Sequence, residues 1–281
     1  MQPDERALTF TCGGDTLYGI VSPVAGDCRR GVLVVVGGPQ YRIGSNRQFT
    51  LLARSLQKDG IAAMRFDYRG MGDSEGETRD FDDVGDDLRA AVDAFTDAVP
   101  GMREVVLWGL CDAASAIALY AARDARVTGL VLLNPWVRSA DSLARTTLRH
   151  YYKDRLLDGA FWRGLLRGRL NPVRSLKSLF ELAGAARAKP SATAAGAAAN
   201  LPDRMHAGMR DFKGKVMIVI SGADLTGREF SDLAAATPKW KQLLEAPAVT
   251  RHRIDKADHT FSRADWREQV AAWTAAWVRS W

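Results

Sequence analysis

The chain has 281 residues, of which 47% are hydrophobic, and a formal net charge of +6. This length fits one large domain with an insertion or two modest domains, and no apolar run approaches the roughly 20 residues that a membrane-spanning helix needs. The three cysteines, Cys12, Cys28 and Cys111, are far apart and odd in number, and so indicate neither a disulfide framework nor a zinc site.

Two further features bear on location and ligands. Residues 1–6 are polar and do not resemble a signal peptide, so we expect a soluble cytoplasmic protein that is not transmembrane. The four histidines form no paired metal-ligand motif. We therefore assign no metal, no cofactor and no nucleic-acid partner.

Strand-like segments recur at intervals typical of alternating strands and helices. Residues 7–12 and 16–21 predict an antiparallel hairpin, and a fully apolar run at 31–36 predicts a buried strand. Further strands are predicted at 61–66, 104–108, 128–133, 215–220 and 249–254, with helices between them, among them 47–58, 82–99 and 112–122. This order favours an α/β fold with a mostly parallel eight-stranded sheet and helices on both faces.

The strand pattern stops between about residues 139 and 211, where basic helical patterns and an Ala/Gly/Pro-rich stretch take over. We predict a core of residues 1–138 and 212–281 and a helical cap insertion at 139–211. Residues 138–190 contain 12 Lys or Arg against 4 Asp or Glu. This excess favours an anionic ligand, an acidic carrier protein or a membrane surface, and a solvated helical face is an equally good interpretation.

The C-terminal segment carries large apolar residues at three- and four-residue steps. This stripe predicts a helix packed on the core in preference to an aromatic box for a ligand. Its members are Trp266, Val270, Trp273, Trp277 and Trp281.

Cys111 lies in residues 105–115, VVLWGLCDAAS, where an apolar strand runs into an Ala-rich helix. The pattern is that of a G-x-S-x-G nucleophile turn with cysteine at the serine position. Gly109 and Ala113, two positions away on either side, are small enough for such a turn. A sulfur at a helix N-terminus is stabilised as the thiolate, so we assign Cys111 as the nucleophile.

A cysteine nucleophile needs a base, and the base needs an acid that orients it. His259 follows the last predicted strand, and Asp224 follows the strand at 215–220. The chain order is then nucleophile, acid, histidine, as in α/β-hydrolases. The rival acids Asp255 and Asp258 are too close in sequence to His259 to orient it readily.

The negative oxygen formed during acyl transfer needs backbone N–H donors. We assign one to Asp112, directly after the nucleophile, and the second to Gln40, in the turn after the strand at 31–36. Pro39 lacks an N–H and cannot serve.

Three segments together resemble the α/β-hydrolase superfamily: GGPQYRIG at 37–44, FDYRGMGDSEG at 66–76 and GLCDAA at 109–114. More narrowly, they are similar to the exosortase A system-associated hydrolases of type 1, and the similarity covers nearly the whole chain. The resemblance implies an α/β-hydrolase fold, a bacterial exopolysaccharide context and a hydrolase of undefined substrate. Dienelactone hydrolase is a relative that also has cysteine at this turn. The chain departs from the usual His-Gly oxyanion turn in having Gly37-Gly38.

Two groups of residues near these motifs need an interpretation. Asp67, Arg69 and the glycines that follow them suggest a phosphate loop, but we assign them to a tight structural loop because no Walker lysine pattern is present. We predict that the substrate contacts Gly38, Tyr41, Arg42 and Trp136.

The predicted activity is hydrolysis of an acyl ester or thioester through an acyl-enzyme on Cys111, with a small-molecule or carrier-bound acyl substrate. Transfer of the acyl group to a sugar hydroxyl is one alternative. A non-catalytic binding module that retains the fold is another.

Overall fold

The computed structural model describes residues 4–38, 40–137 and 201–281. In this part of the chain the strands are β1 (Arg6–Cys12), β2 (Asp15–Ser22), β3 (Arg30–Val35), β4 (Ala62–Asp67), β5 (Glu104–Leu110), β6 (Val127–Leu133), β7 (Lys215–Ser221) and β8 (Val249–Ile254). The α-helices are α1 (Gln48–Lys58), α2 (Gly85–Ala98), α3 (Asp112–Tyr120), α4 (Leu201–Asp211), α5 (Leu225–Ala236), α6 (Pro238–Leu244) and α7 (Ala264–Val278).

The eight strands form one sheet in the order β1-β2-β4-β3-β5-β6-β7-β8. The pairs β1–β2 and β2–β4 are antiparallel, and every other neighbouring pair is parallel. The prediction of a mostly parallel eight-stranded sheet with an opening hairpin is therefore confirmed, and each predicted strand agrees with an observed one to within two residues at its ends. Because the parallel strands point the same way, the turns after β3, β5, β6, β7 and β8 meet at one edge of the sheet.

Both faces of the sheet are covered. On β3, Val32 and Val34 belong to a core cluster that also contains residues of α1 and α7. The intervening Leu33 and Val35 point to the other face and are equally buried. The apolar character of the whole strand thus reflects burial on both sides.

Helix α7 packs its aromatic stripe on this core, as the sequence predicts. Val270 and Trp277 are buried members of the cluster, and Trp266, Trp273 and Trp281 pack against it while partly exposed. The stripe therefore has a structural role.

One compact unit comprises the described residues up to Trp136 together with Asp203–Trp281. Of the predicted cap insertion, residues 201–211 form α4. The rest of the insertion, with the basic segment at 138–190, lies outside the described residues. The boundaries proposed for the insertion stay a prediction. None of the helices described combines the length and apolar character that a bilayer crossing requires.

The loop after β4 has a structural role, as the sequence predicts, because hydrogen bonds and ion pairs join it to neighbouring elements. Asp67 accepts hydrogen bonds from the backbone N–H groups of Arg42 (2.7 Å) and Asp73 (3.3 Å). Arg69 pairs with the fully buried Asp87, which accepts its Nε (3.0 Å), its Nη2 (2.9 Å) and its backbone N–H (2.9 Å). These bonds hold the loop against the turn after β3 and against α2.

We expect Asp87→Ala to lower the free energy of unfolding by about 3–5 kcal/mol, because it leaves the Arg69 guanidinium buried without its counter-charge. Urea denaturation of both proteins measures the change. Asp97→Ala, on the exposed surface of the same helix, is the matched control and should stay within about 0.5 kcal/mol of the wild type. A loss of less than about 1 kcal/mol for Asp87→Ala would contradict this role for the ion pair.

Candidate active site

Cys111 occupies a strained turn between β5 and α3. Its backbone angles, φ 63° and ψ −123°, are ones that side-chain-bearing residues rarely adopt. A Cβ on Gly109 would lie 2.9 Å from the backbone carbonyl carbon of Ala113, so the strand and the helix approach closely only because residue 109 is glycine. This is the local geometry that the nucleophile-turn pattern predicts.

The turn is fixed by backbone hydrogen bonds to the neighbouring strand β6 and to the residues that follow it. The Cys111 N–H donates to the carbonyl of Leu133 (2.9 Å), and the Cys111 carbonyl accepts the N–H of Trp136 (3.2 Å). The side chain is partly exposed and packs against the edge of the core cluster. Cys12 and Cys28 are buried elsewhere.

His259 and Asp224 are in direct contact. His259 Nδ1 lies 3.0 Å from Asp224 Oδ2. Asp224 caps helix α5 by accepting the N–H of Gly227 (2.9 Å), which fixes the carboxylate in place. The side chain of Asp224 is 10% exposed and that of His259 is 34% exposed. The imidazole is thus held on one side and open to the site on the other.

Cys111 lies near enough to the same imidazole to affect its pKa. The bonds to Asp224 and then to Cys111 are the largest causes that raise the pKa of His259 to about 10. In turn, the bond to His259 and its charge keep the pKa of Asp224 below its usual value despite burial. The structure therefore brings together the three residues that the sequence singles out, in the order acid, imidazole, sulfur.

The rival acids and histidines have other partners. Asp258 accepts the backbone N–H of Ser262 (2.9 Å), and Asp255 accepts Arg253 Nε (2.6 Å) at an exposed position. His206 lies against Trp240, and His252 stacks on Trp273 with 4.3 Å between the ring centroids. His150 lies outside the described residues.

Asn134, directly after β6, connects the strands beneath the imidazole. Its Nδ2 donates to Ser221 Oγ (2.9 Å) and to the backbone carbonyl of His259 (3.3 Å), and its Oδ1 accepts the N–H of Ser221 (2.8 Å). It is fully buried with φ 43°. This residue was not anticipated from the sequence, although an Asn-Pro pair directly after a buried strand is a recognisable turn pattern.

The turn after β3 directs a different N–H toward the nucleophile from the one that the sequence suggests. The Gln40 N–H donates to the Gly38 carbonyl (2.8 Å), which closes a tight turn. The Gly38 N–H points instead toward the start of α3, where it donates to Asp112 Oδ2 (2.6 Å). Gly38 is therefore the residue of this turn whose N–H faces the nucleophile's neighbour, and the role of Gln40 as second donor stays a prediction that this geometry does not support.

The other residues predicted to contact substrate have protein partners. Arg42 pairs with Asp67 and with Asp73 (2.7 Å), and its guanidinium lies over the ring of Tyr41. The Tyr41 hydroxyl is bonded to Asp73. Trp136 is half-buried, next to Cys111 through the backbone bond given above. Substrate contact by these three residues stays a prediction.

The fold has well-covered structural neighbours. An esterase from Pyrococcus furiosus, Pf2001, aligns over 99% of this chain and 93% of its own, with a TM-score of 0.66 and 15% identity. A dienelactone hydrolase from Anabaena variabilis aligns over 99% and 97%, with a TM-score of 0.61 and 16% identity. The α/β-hydrolase GrgF from Penicillium sp. sh18 aligns over 98% of both chains, with a TM-score of 0.60 and 18% identity. At these identities the likeness shows the fold, and it confirms the α/β-hydrolase fold.

Sequence comparison adds a relative and a family. The polyketide transferase grgF from Penicillium sp is 29% identical over 143 residues, which are 48% of this chain and 46% of that protein. The matched part thus spans about half the length of this relative. Residues 27–225, more than half of the chain, match the Hydrolase_4 family, described as serine aminopeptidase, S33. The chain therefore belongs to the Hydrolase_4 family of α/β-hydrolases, with cysteine in the turn after β5.

Proposed function

We propose that this chain is a cysteine-dependent acyl hydrolase that forms a covalent acyl-enzyme on Cys111. The observation that supports this most is the position of His259. Its Nδ1 lies 3.0 Å from Asp224 Oδ2, and Cys111, in a strained turn at the sheet edge, is the second-largest cause of its raised pKa. A nucleophile, a base and an orienting acid in this arrangement perform acyl transfer on several unrelated folds.

In the proposed reaction, Cys111 Sγ attacks the carbonyl carbon of an ester or thioester, and a sulfur–carbon bond forms. The carbonyl oxygen becomes negatively charged and is stabilised by N–H donors, of which the Asp112 amide is one. The bond to the leaving group then breaks, and His259 gives that group its proton. A water molecule next attacks the acyl carbon and loses a proton to His259, and the sulfur–carbon bond breaks to release the acid.

The pKa of His259 suits both halves of this cycle. While Cys111 is free, its hydrogen bond helps to keep the pKa near 10, so the imidazolium is present at neutral pH to protonate the leaving group. Once the sulfur is acylated, that hydrogen bond and charge are lost and the pKa falls. The imidazole can then accept a proton from water.

Sulfur at this site favours activated acyl donors. A thiolate attacks carbonyls readily but is also a good leaving group, so the intermediate reverts when the competing leaving group is an amine. We therefore propose thioesters, lactones and activated esters as substrates in preference to amides. This differs from the aminopeptidase activity in the family description, which refers to a serine.

Transfer of the acyl group to another acceptor is a second candidate, favoured by the relative that is named a polyketide transferase. A carrier-bound acyl thioester is a suitable donor for such transfer, and the basic residues at 138–190 would favour an acidic carrier. A sugar hydroxyl is the acceptor that fits the proposed link to exopolysaccharide synthesis.

The test is intact-mass spectrometry of the protein after brief incubation with a short acyl thioester, such as an N-acetylcysteamine butyryl thioester. We expect a mass increase of one acyl group in the wild type, mapped to Cys111 by digestion, and none in Cys111→Ala. Alkylation of the wild type with iodoacetamide checks separately that the sulfur is accessible. An alkylated protein that never acquires an acyl group across a panel of chain lengths would favour a binding module.

Comparison of the products separates hydrolysis from transfer. The same thioester is supplied with and without a saccharide acceptor, and free acid and acyl-saccharide are measured. Release of acid at an unchanged rate identifies a hydrolase. Loss of acid matched by acyl-saccharide identifies a transferase.

A further inference from the structure

The carboxylate of Asp112, the residue after Cys111, accepts an N–H group from the loop after β3 and one from the first turn of α3. Asp112 Oδ2 accepts the Gly38 N–H at 2.6 Å, and Asp112 Oδ1 accepts the Ala113 N–H at 3.0 Å. An oxyanion site of this fold uses N–H groups from the turn after the nucleophile and from the loop after β3. In this structure, the N–H that the loop directs toward that turn already has a charged acceptor.

The site is shaped around this carboxylate. A Cβ on Gly37 would lie 2.1 Å from Asp112 Oδ1 and 2.9 Å from the backbone nitrogen of Ala113. The first distance is far below contact, so no side chain at residue 37 is compatible with the observed position of Asp112. The departure from the usual His-Gly turn thus has a physical reason, since glycine at residue 37 makes room for the carboxylate.

The surroundings of the carboxylate combine burial with donors. Burial raises the pKa of Asp112, although the N–H groups of Gly38 and Ala113 and the nearby His259 favour the charged form. Burial and then the charge of Asp112 raise the pKa of Tyr68 to about 12, so its hydroxyl keeps its proton. The Gly38 N–H has a single hydrogen, so it serves either the carboxylate or a substrate oxygen at full strength.

We propose that Asp112 determines specificity by gating the oxyanion site: a substrate carbonyl gains the Gly38 N–H only after the carboxyl group has left it. The consequence for the proposed acyl transfer, on which this inference rests, is selection among substrates. Acyl groups that bind more tightly elsewhere displace the side chain more readily, so longer thioesters acylate Cys111 faster than the short ones of the functional test do. Binding energy remote from the reacting carbon is then used to open the site.

The experiment uses butanal, whose adduct places an oxygen at the same position without any turnover. The Cys111 S–H adds across the carbonyl, the sulfur–carbon bond forms and the oxygen takes the proton. Affinity is measured as protection of Cys111 from iodoacetamide, which needs no oxyanion donor. The proteins are the wild type, Asp112→Ala, Asp112→Asn and the surface control Asp97→Ala.

We expect Asp112→Ala to bind butanal at least 10-fold more tightly than the wild type does. Asp112→Asn, which keeps an oxygen that can accept from Gly38 but lacks the charge, should lie between the two, and it also tests the proposal if the alanine variant folds poorly. Asp97→Ala should match the wild type. The aldehyde affinity of each protein is taken relative to its own alkylation rate without aldehyde, because loss of the Asp112 charge also changes the surroundings of Cys111.

Equal or weaker binding by Asp112→Ala and Asp112→Asn, including no detectable adduct in any protein, would overturn the gate. Such a result would assign Asp112 to support of the turn after β3. The outcome is separate from the proposed function, because wild-type protein that forms no acyl-enzyme from thioesters could still show the 10-fold difference in aldehyde affinity.

Discussion

Cys111→Ser should turn over a short acyl thioester at least about 10⁴-fold more slowly than the wild type at pH 7. The hydroxyl is a poor nucleophile until an imidazole removes its proton, whereas a thiol loses its proton far more readily than a hydroxyl does and sulfur is intrinsically more nucleophilic. The contact with Asp224, the largest cause of the raised pKa of His259, persists in the variant. His259 therefore keeps part of its raised pKa in the variant, so at pH 7 less of it is the neutral imidazole that a serine hydroxyl needs as its base.

Turnover of the wild type, Cys111→Ser and Cys111→Ala between pH 6 and 10 tests this expectation. Activity of the serine variant should rise with pH as His259 loses its proton, and the alanine variant should stay at background throughout. Serine and alanine differ little in volume from cysteine, so all three should have similar melting temperatures. A serine variant that keeps more than a tenth of wild-type turnover at pH 7 would contradict the dependence on sulfur.

The sequence is most informative about this site where chemistry and backbone geometry coincide. The turn around Cys111 needs small residues on both sides and a strand followed by a helix, and all of these are visible as letters. The β strands are equally visible, because parallel strands buried on both faces appear as continuous apolar runs. Chain order alone then brings Asp224 and His259 to the sheet edge that carries Cys111.

The path of a turn and the direction of a side chain are what the sequence patterns do not reveal. The choice of Gln40 follows from the missing N–H of Pro39, but the Gln40 N–H bonds to Gly38, a contact that depends on the path of the turn. The direction of the Asp112 carboxylate depends on its packing against Gly37, a residue that is 75 positions distant in sequence. From the sequence, Arg42 is a plausible anion-binding residue, but in the structure two carboxylates, Asp67 and Asp73, pair with it.

Asp224→Asn should lower turnover by roughly 10⁴-fold while leaving the fold intact. Oδ2 makes both contacts of Asp224, so an amide oxygen in its place keeps the cap of helix α5 but presents no charge to His259. An amide NH2 in its place gives up the cap and favours the wrong imidazole tautomer. The pKa of His259 then falls from about 10 toward its usual value near 6.5, because the hydrogen bond to the Asp224 carboxylate is the largest cause of the raised pKa.

The pH dependence of Cys111 alkylation provides a second measurement. In the wild type, His259 stays an imidazolium up to about pH 10, whereas in Asp224→Asn it loses its proton at lower pH. The two alkylation rates should thus differ most at pH values between the lowered pKa of His259 in the variant and its pKa in the wild type. The same linkage predicts that the variant loses less stability than the wild type as pH rises from 6.5 to 10, because a raised histidine pKa stabilises the fold only while the imidazolium is present.

Asp255→Asn is the matched control, since this carboxylate is nearer to His259 in sequence but is exposed and pairs with Arg253. It should change turnover by less than about twofold, as expected for a solvated surface charge. Equal losses in the two variants would mean that both acids act through the general field of the site. A loss confined to Asp224→Asn requires the specific contact at 3.0 Å, because only that carboxylate both caps a helix and holds Nδ1 of the imidazole.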